Sequence, residues 1–123
     1  MSDYNPRTRY EHYYVRQARL EGRDELQHRY PDDFYVKPFR IAGNVYYIGN
    51  KAVCSHLIDT GAGLIVIDTS YPELDHLLIN SIWEAGFNPK DIKIVLHTHL
   101  HYDHFGATNT LTKIYGAKAY VGK

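Results

Sequence analysis

Residues 92–106, IKIVLHTHLHYDHFG, decide how this 123-residue chain is interpreted. They begin with the apolar and β-branched segment 92–96, which predicts a buried strand, and they lead into a helical pattern that begins near Ala107. Loops that join a strand to a helix often carry sites, because the scaffold fixes both ends of the loop. Four residues of this loop are of the types that bind metal ions: His99, His101, Asp103 and His104.

The spacing of these four residues allows them to converge on metal ions. Side chains at positions i and i+2 of extended backbone share a face, so His99, His101 and Asp103 can meet, and the turn into the helix brings His104 round. Zinc and iron accept imidazole nitrogen and carboxylate oxygen as ligands. We expect His99 and His101 to bind one metal ion, and Asp103 and His104 to bind a second about 3.5–4 Å away. Asp103 is also the candidate catalytic residue, because it could orient the hydroxide that such a metal pair generates.

The histidine cluster also has less specific interpretations. A histidine-rich surface loop can show incidental metal affinity without a dedicated site. His97 shares the alternation of the ligands, but it falls at the end of the strand. We interpret it as a histidine with satisfied hydrogen bonds rather than as a ligand.

Short strands are predicted upstream of this loop. Residues 39–41, 45–48 and 53–58 are β-branched or aromatic runs separated by turn residues, which is typical of a meander. The continuous apolar run 64–67 predicts a strand that is covered on both faces.

Two helices and a last strand complete the pattern. A capping box, Ser70 to Glu73, predicts the start of the first helix, and Gly86 predicts its end. A second helix is predicted to carry one apolar stripe and to end at Gly116, and residues 118–121 read as a strand. The order of elements predicts an α/β fold. The apolar residues at helical spacing are Leu74, Leu77, Leu78 and Ile82 in the first helix, and Ala107, Leu111 and Ile114 in the second.

The chain divides by composition into two parts. Residues 1–35 are charged and rich in tyrosine, and their pattern predicts a helical extension near residues 7–29, interrupted at Gly22 or at Tyr30. A partly ordered tail is the alternative for this segment. Residues 36–123 form the predicted α/β domain.

The composition argues against several classes of protein. The chain has 14 basic and 14 acidic residues, and this balance argues against a nucleic-acid or anionic-membrane partner recognised through overall charge. The single cysteine, Cys54, excludes an internal disulfide framework and is interpreted as a buried strand residue. No apolar run reaches the roughly 18 residues of a membrane-spanning helix, and residues 1–6 do not resemble a secretory signal. We therefore expect a cytoplasmic protein.

The motif His99-x-His101-x-Asp103-His104, followed by Gly106, resembles the signature of the metallo-β-lactamase superfamily. The resemblance covers residues 38–123, and it includes a preceding strand that ends at an aspartate, here Asp68. Within it, residues 38–49 and 86–92 are similar to the third subclass of metallo-β-lactamases and its uncharacterised relatives.

This resemblance implies a fold, a cofactor and an activity. The fold is the N-terminal half of an αββα sandwich, preceded by the helical extension. The cofactor is zinc, two ions per complete site, with iron in some branches of the family. The activity is hydrolysis of a lactam, lactone, thioester or phosphodiester bond of a small-molecule substrate through metal-bound hydroxide. Asp68 is implied to orient the histidine loop, and a turn carboxylate beside a helix is its alternative interpretation.

The sequence departs from the family pattern in the ligands it supplies. The family uses a further histidine for each metal ion, and in many branches a bridging aspartate, from the second half of its sandwich, downstream of Lys123. A catalytic zinc ion normally has three protein ligands, whereas two per metal are present here. We therefore expect an N-terminal fragment that is inactive alone. Its sheet would have one uncovered face, which would pair with a second copy or with the C-terminal half. The alternative is a non-catalytic, self-associating half-domain that binds metal weakly or not at all and uses its Tyr-rich N-terminus as a contact surface.

Overall fold

A computed structural model describes residues 31–98 and 104–121 of the chain. Within them lie the strands β1 (Phe39–Ala42), β2 (Val45–Tyr47), β3 (His56–Asp59), β4 (Leu64–Ile67), β5 (Ile92–His97) and β6 (Lys118–Val121). The helices are α1 (Asp75–Glu84) and α2 (Thr108–Lys113), and 3₁₀ turns lie at Pro31–Phe34, Pro72–Leu74 and Pro89–Asp91. The helix predicted near residues 7–29 lies outside the described residues.

The strands form one sheet whose spatial order follows chain order. β1 to β4 are antiparallel neighbours, as a meander of short strands joined by turns requires. β5 pairs in parallel with β4, and β6 in parallel with β5, because α1 and α2 carry the chain back along the sheet between them. The predicted α/β class is confirmed, and so is the predicted order of elements from residue 39 onwards.

One face of the sheet carries the core. The register aligns Leu57, Val66 and Val95 on neighbouring strands, and paired positions point their side chains to the same face. Both described helices pack against this face, because their buried residues belong to the same cluster. That cluster includes Ile48, Leu57, Leu64, Val66, Leu78, Ile82, Ile92, Val95, Ala107 and Leu111.

The opposite face of the sheet is apolar and partly exposed in the described structure. A row of paired positions crosses it, and we call this row the open sheet face. Its members, one from each strand, are Phe39, Tyr47, His56, Ile67, Leu96 and Tyr120. Phe39, Leu96 and Tyr120 are exposed large apolar or aromatic side chains. A surface of this kind is typical of a contact with another polypeptide surface.

The prediction that β4 is covered on both faces is wrong. Leu64 and Val66 point into the core and are buried, whereas Ile65 and Ile67 are half-buried on the other side. The apolar run suggested helices on both faces of β4, but α1 and α2 both lie on one side of the sheet. The sequence pattern does not show on which side a helix will pack.

The first helix ends as predicted but begins differently. Gly86 adopts a left-handed φ of 95°, its N–H donates to Trp83 O, and the N–H of Phe87 donates to Ile82 O. This is the Schellman arrangement, which satisfies the last carbonyls of α1. The predicted capping box does not form, because Ser70 adopts a left-handed φ of 65° and Tyr71, not Ser70, occupies the N-cap position of the 3₁₀ turn that precedes α1. The Ser70 hydroxyl instead accepts a hydrogen bond from the Asn50 side chain at 2.7 Å.

The second helix is shorter than its predicted stripe. Ala107 and Leu111 are buried, but Ile114 is 71% exposed. The helix ends at Lys113, and the N–H of Gly116, at a left-handed φ of 80°, donates to the last turn. Ile114 itself keeps helical dihedral angles and donates its N–H to Thr110 O, so its exposure shows that nothing in the described structure covers this end of the stripe.

Cys54 is also placed differently from the prediction. It is exposed and precedes β3, which begins at His56. Asn50 organises this connection, because its side-chain oxygen accepts from the N–H groups of Ala52 and Val53. None of the helices within residues 31–98 and 104–121 combines the length and the apolar character that a membrane span requires.

Candidate metal centre

The predicted metal ligands lie in the loop between β5 and α2. His104 belongs to the described structure, whereas His99, His101 and Asp103 fall within residues 99–103, outside it. Their assignment as ligands, and that of Asp103 as a catalytic residue, stay predictions. Within residues 31–98 and 104–121, no group of three or more His, Cys, Asp or Glu side chains is placed to hold a metal ion.

Asp68 joins the two ends of this loop. Its carboxylate accepts hydrogen bonds from the backbone N–H of Thr98 at 2.9 Å and from the Thr98 hydroxyl at 2.7 Å. The other end of the loop begins at His104, whose Nδ1 lies 3.0 Å from the same carboxylate. One side chain, only 5% exposed, therefore holds both Thr98, which directly precedes the predicted ligands, and His104, the last of them.

The environment of Asp68 keeps its carboxylate ionised. Burial by itself raises the pKa of this group. The hydrogen bonds from the side chain and backbone of Thr98, and then from His104, outweigh burial and hold the pKa of Asp68 below its ordinary value of 3.8. An anion at this position is therefore present at neutral pH.

The contact with Asp68 assigns the tautomer of the His104 ring. A carboxylate only accepts hydrogen bonds, so Nδ1 of His104 carries the proton in this contact. The neutral ring then has its lone pair on Nε2, the nitrogen that could bind a metal ion. Metal-binding histidines ordinarily donate their other ring nitrogen to a carboxylate or a carbonyl in this way. His104 therefore fits the role of a ligand.

The backbone of His104 is held as well as its ring. Its carbonyl oxygen accepts from the N–H of Thr69 at 2.8 Å and lies 3.1 Å from Nδ1 of His97. His97 is the last residue of β5 and is 6% exposed, and its Nε2 lies 2.9 Å from the Thr108 hydroxyl. Both ring nitrogens of His97 thus have protein partners, which confirms the interpretation of His97 as a satisfied strand-end histidine.

The segment after β4 has an uncommon backbone conformation. Asp68 and Ser70 adopt φ values of 61° and 65°, in the left-handed region that residues with a side chain rarely occupy. The Ser55 hydroxyl donates to Asp68 O at 2.6 Å, and the Asn50 amide donates to Ser70 Oγ at 2.7 Å. Strained conformations of this kind persist where surrounding contacts enforce them, and they are frequent at functional sites.

A close contact of backbones sets the entry to α2. A Cβ atom added at Gly106 would overlap the backbone of Tyr71 and Pro72. The N–H of Gly106 also donates to Ser70 O at 2.7 Å. The end of the histidine loop is therefore fixed directly against the segment that follows Asp68.

The sequence pattern did not identify several of these supporting residues. Thr69, Thr98 and Thr108 are common residue types without motif spacing, and they come together only in the folded chain. A weak signal was present, since Asp68, Thr69 and Ser70 are three consecutive polar residues directly after a buried strand. Such a cluster at the end of a strand is typical of a site in an α/β fold.

Comparisons with known proteins identify the family. A model of the metallo-beta-lactamase superfamily matches residues 42–123, more than half of the chain. A protein of Methanocaldococcus jannaschii named probable metallo-hydrolase is 42% identical over 40 residues, which are 32% of this chain and 20% of that protein.

Solved structures match a larger part of the chain. The metallo-beta-lactamase GOB-18 from Elizabethkingia meningoseptica is 44% identical with a TM-score of 0.69, and the match covers 72% of this chain and 33% of that one. BJP-1, a subclass B3 metallo-beta-lactamase of Bradyrhizobium japonicum, is 35% identical with a TM-score of 0.68, covering 70% and 33%. The class B3 di-zinc metallo-beta-lactamase LRA-12, from an Alaskan soil metagenome, is 42% identical with a TM-score of 0.68, covering 71% and 33%.

The chain thus spans about a third of the length of these solved structures. The region that the family model matches, residues 42–123, includes β2 to β6, both helices and the histidine loop between β5 and α2. Since the family model matches more than half of the sequence, this chain belongs to the metallo-β-lactamase superfamily.

Proposed function

We propose that this chain supplies the metal-binding loop of a zinc-dependent hydrolase. His99 and His101 bind one zinc ion, and Asp103 and His104 bind a second, with iron as an alternative metal. The observation that carries this proposal is the contact between Asp68 and His104, which orients the His104 ring as in a metal ligand. Bound zinc supplies Lewis acidity and lowers the pKa of water towards about 7.

The protein residues of this site have separate tasks. Asp68 keeps the proton of His104 on Nδ1 and, through Thr98, holds the start of the loop. Asp103 is the proposed catalytic residue, because its carboxylate can orient the attacking water and accept its proton. The rigid contacts at both ends of the loop reduce the reorganisation needed when substrate arrives.

The proposed substrate is a small molecule with a lactam, lactone, thioester or similar bond. A β-lactam is the first compound to test, because the similar solved structures are named metallo-beta-lactamases at 35–44% identity. The chain spans about a third of their length, so most of a substrate pocket of that size would come from other polypeptide segments.

The number of ligands determines what the 123 residues can do alone. The sequence offers two candidate ligands per zinc ion, and a catalytic zinc normally has three. We therefore propose that the chain alone is an N-terminal fragment that binds zinc weakly and does not hydrolyse substrate. In this proposal, activity requires further metal ligands that other polypeptide segments supply.

Zinc binding by the purified chain tests the ligand assignment. Equilibrium dialysis should show that His101→Ala and Asp103→Asn each weaken zinc binding by about 10–100-fold. Asp91→Asn, which changes an exposed carboxylate outside the loop, is the matched control and should bind like the unchanged chain. Equal affinity in all four proteins would eliminate the proposed site.

Hydrolysis of a chromogenic β-lactam tests the activity in a second experiment. The chain should be inactive alone and active when joined to the C-terminal part of a similar metallo-β-lactamase. In the joined protein, His101→Ala and Asp103→Ala should abolish turnover. Full activity of both variants would eliminate the hydrolytic role of the loop.

The open sheet face favours a second candidate function. A non-catalytic half-domain, with weak or no metal binding, would use this face and its Tyr-rich N-terminus to form a dimer. Leu96 lies on β5, beside the edge strand β6, and is exposed on this face, so Leu96→Lys should convert a dimer to a monomer. Sedimentation equilibrium measures the change, with Lys93→Ala, an exposed position on the same strand, as the control.

The two candidate functions differ in their metal content. Zinc binding that is weak but is lost in His101→Ala argues against the half-domain, whereas a stable dimer whose zinc binding is absent, or is unchanged in His101→Ala, supports it. We further propose that the α/β domain begins at residue 36, after the Tyr-rich extension, and that the protein is cytoplasmic. Limited proteolysis with mass spectrometry tests the division, and fractionation of producing cells tests the location.

A further inference from the structure

His97 occupies a position where an apolar residue would be expected. It ends β5 on the core face, two positions after the buried Val95, and its ring is almost fully enclosed. Burying a polar ring costs free energy unless its nitrogens form hydrogen bonds. The partners of His97 therefore explain why the fold tolerates a histidine at this place.

The hydrogen bonds of His97 have one consistent direction. The His104 carbonyl only accepts, so Nδ1 of His97 donates to it, and in the neutral ring Nε2 must accept from the Thr108 hydroxyl. With its proton used in this way, the Thr108 oxygen accepts from the Thr69 hydroxyl at 2.8 Å. The Thr69 oxygen in turn lies 3.2 Å from the backbone N–H of Ala107, which donates to it. This series of hydrogen bonds starts at the Ala107 N–H, passes through the hydroxyls of Thr69 and Thr108 and the ring of His97, and ends at the His104 carbonyl.

This series joins three parts of the fold at one carbonyl group. Thr69 follows β4, His97 ends β5, and Thr108 begins α2. The His104 carbonyl accepts hydrogen bonds from the Thr69 backbone N–H and from the His97 ring, and the Thr69 hydroxyl makes a longer contact with it at 3.4 Å. The His104 ring, on the other side of the same residue, is held by Asp68. Nδ1 of His97 lies 3.8 Å from Asp68, too far for a competing hydrogen bond.

We propose that His97 is a positioning residue for His104, and that the hydroxyl groups of Thr69 and Thr108 select the tautomer of His97 that performs this task. The proposal rests on the proposed function, because it assigns the orientation of a residue that is proposed to bind metal. His97 is not itself a ligand in this arrangement, since metal binding at either nitrogen would break one of its hydrogen bonds. Its role is to hold the backbone of His104 while Asp68 holds the ring.

Variants of His97 separate positioning from simple space filling. His97→Leu fills the space but cannot donate to the His104 carbonyl, whereas His97→Asn places an amide N–H near the position of Nδ1. We expect His97→Leu to weaken zinc binding of the full chain by about 10-fold, and His97→Asn to remain within about threefold of the unchanged chain. Ile82→Val, a buried change on the distant helix α1, controls for a general loss of stability.

Variants of Thr108 repeat the test with less disturbance. Thr108→Val removes the hydroxyl that donates to His97, and Thr108→Ser retains it. If His97→Leu fails to fold, as circular dichroism would show, this pair decides the outcome. Weaker zinc binding in Thr108→Val with recovery in Thr108→Ser supports the proposal, and equal binding in both overturns it.

Ring nitrogen chemical shifts test the proposal without metal. In the metal-free chain near pH ~8, where an ordinary histidine is neutral, ¹⁵N spectra should show the Nδ1–H tautomer for both His97 and His104. His97→Leu releases the His104 carbonyl, so the His104 ring can move away from Asp68 and should give mixed tautomers. His97→Asn should restore the contact and a single tautomer. A single Nδ1–H tautomer at His104 in His97→Leu, or an Nε2–H tautomer at His97 in the unchanged chain, would overturn the proposal.

The two readouts distinguish this proposal from the proposed function. If the unchanged chain shows the expected tautomers, and His97→Leu disturbs them, but zinc does not bind, then the metal site is wrong and the positioning of His104 by His97 is supported. If zinc binds but His97→Leu changes neither affinity nor tautomer, the metal site stands and the role of His97 is wrong.

Discussion

The carboxylate of Asp68 lies 3.0 Å from Nδ1 of His104, although 36 positions separate the two residues in the chain. Asp68 follows β4 and His104 precedes α2, so the contact depends on the parallel pairing of β4 with β5. The same carboxylate accepts from Thr98 at the other end of the loop. The geometry of the predicted metal loop is therefore set by a residue outside the loop.

Replacement of Asp68 by asparagine should weaken both metal binding and stability. The amide cannot accept from Thr98 and from His104 as the carboxylate does, and buried polar groups without partners cost about 1–3 kcal/mol each. We expect zinc affinity to fall about 10–100-fold and the free energy of unfolding to fall by about 2 kcal/mol. Dialysis and urea denaturation measure the two effects. Unchanged values for both would contradict the role assigned to Asp68.

Stability should decrease on acidification because of the same carboxylate. The pKa of Asp68 is lower in the folded chain than in the unfolded chain, so the unfolded chain binds more protons at acidic pH. The contribution of Asp68 is therefore complete above its ordinary pKa of 3.8 and is lost as pH falls through the lower, folded value. Urea denaturation between about pH 2 and 6 measures it. A curve for Asp68→Asn that is as steep below pH ~4 as that of the unchanged chain would argue against this assignment.

A methyl group at Gly106 should disrupt the packing of α2 against the segment after β4. Gly106→Ala places Cβ against backbone atoms of Tyr71 and Pro72, which cannot move aside as a side chain would. We expect a loss of about 3 kcal/mol or more in the free energy of unfolding. Gly43→Ala is the control, because that position has open space and only a left-handed φ, for a cost of about 1 kcal/mol. Similar losses of unfolding free energy in both variants would show that the backbone contact at Gly106 leaves room for a methyl group.

Two isoleucines should differ in their contribution to stability. Ile82 of α1 is fully buried in the core cluster, and Ile82→Ala should cost about 2–5 kcal/mol. Ile114 is 71% exposed beyond the end of α2, and Ile114→Ala should change stability by less than about 0.5 kcal/mol. Thermal or urea denaturation compares them. A large loss of stability in Ile114→Ala would show that Ile114 is buried, as the apolar stripe in the sequence predicted.

The elements of the fold were predictable because their signals are local. The apolar run 92–96, the left-handed stop at Gly86 and the short strand 118–121 each depend on a few neighbouring residues, and all three agree with the structure. The capping box at Ser70 was wrong because Ser70 adopts a left-handed φ and lies one residue before the N-cap, in a segment held by distant residues such as Asn50. Ile114 and Cys54 were misplaced for a related reason, since the end of an element depends on what it packs against.

The candidate site, too, was predictable from the sequence only where its signals are local. The residue types and spacing of His99, His101, Asp103 and His104 are properties of the sequence, and they were sufficient to indicate metal chemistry and the family. No sequence motif predicts the contacts of Asp68 with Thr98 and His104. The hydrogen bonds that link His97 to Thr108, and Thr108 to Thr69, are equally hidden, because both sets join separate elements of the fold.

The sequence alone determined the order of strands and helices, the α/β class and the ligand-type residues of the loop, because periodicity, turn residues and motif spacing act over short distances. The tertiary structure alone decided which face of the sheet is open, why Asp68 is ionised, and how His104 is held at its ring and its carbonyl. The physical reason is that burial and hydrogen-bond direction depend on residues that are distant in sequence, such as Asp68 and His104, and that only sheet pairing brings together.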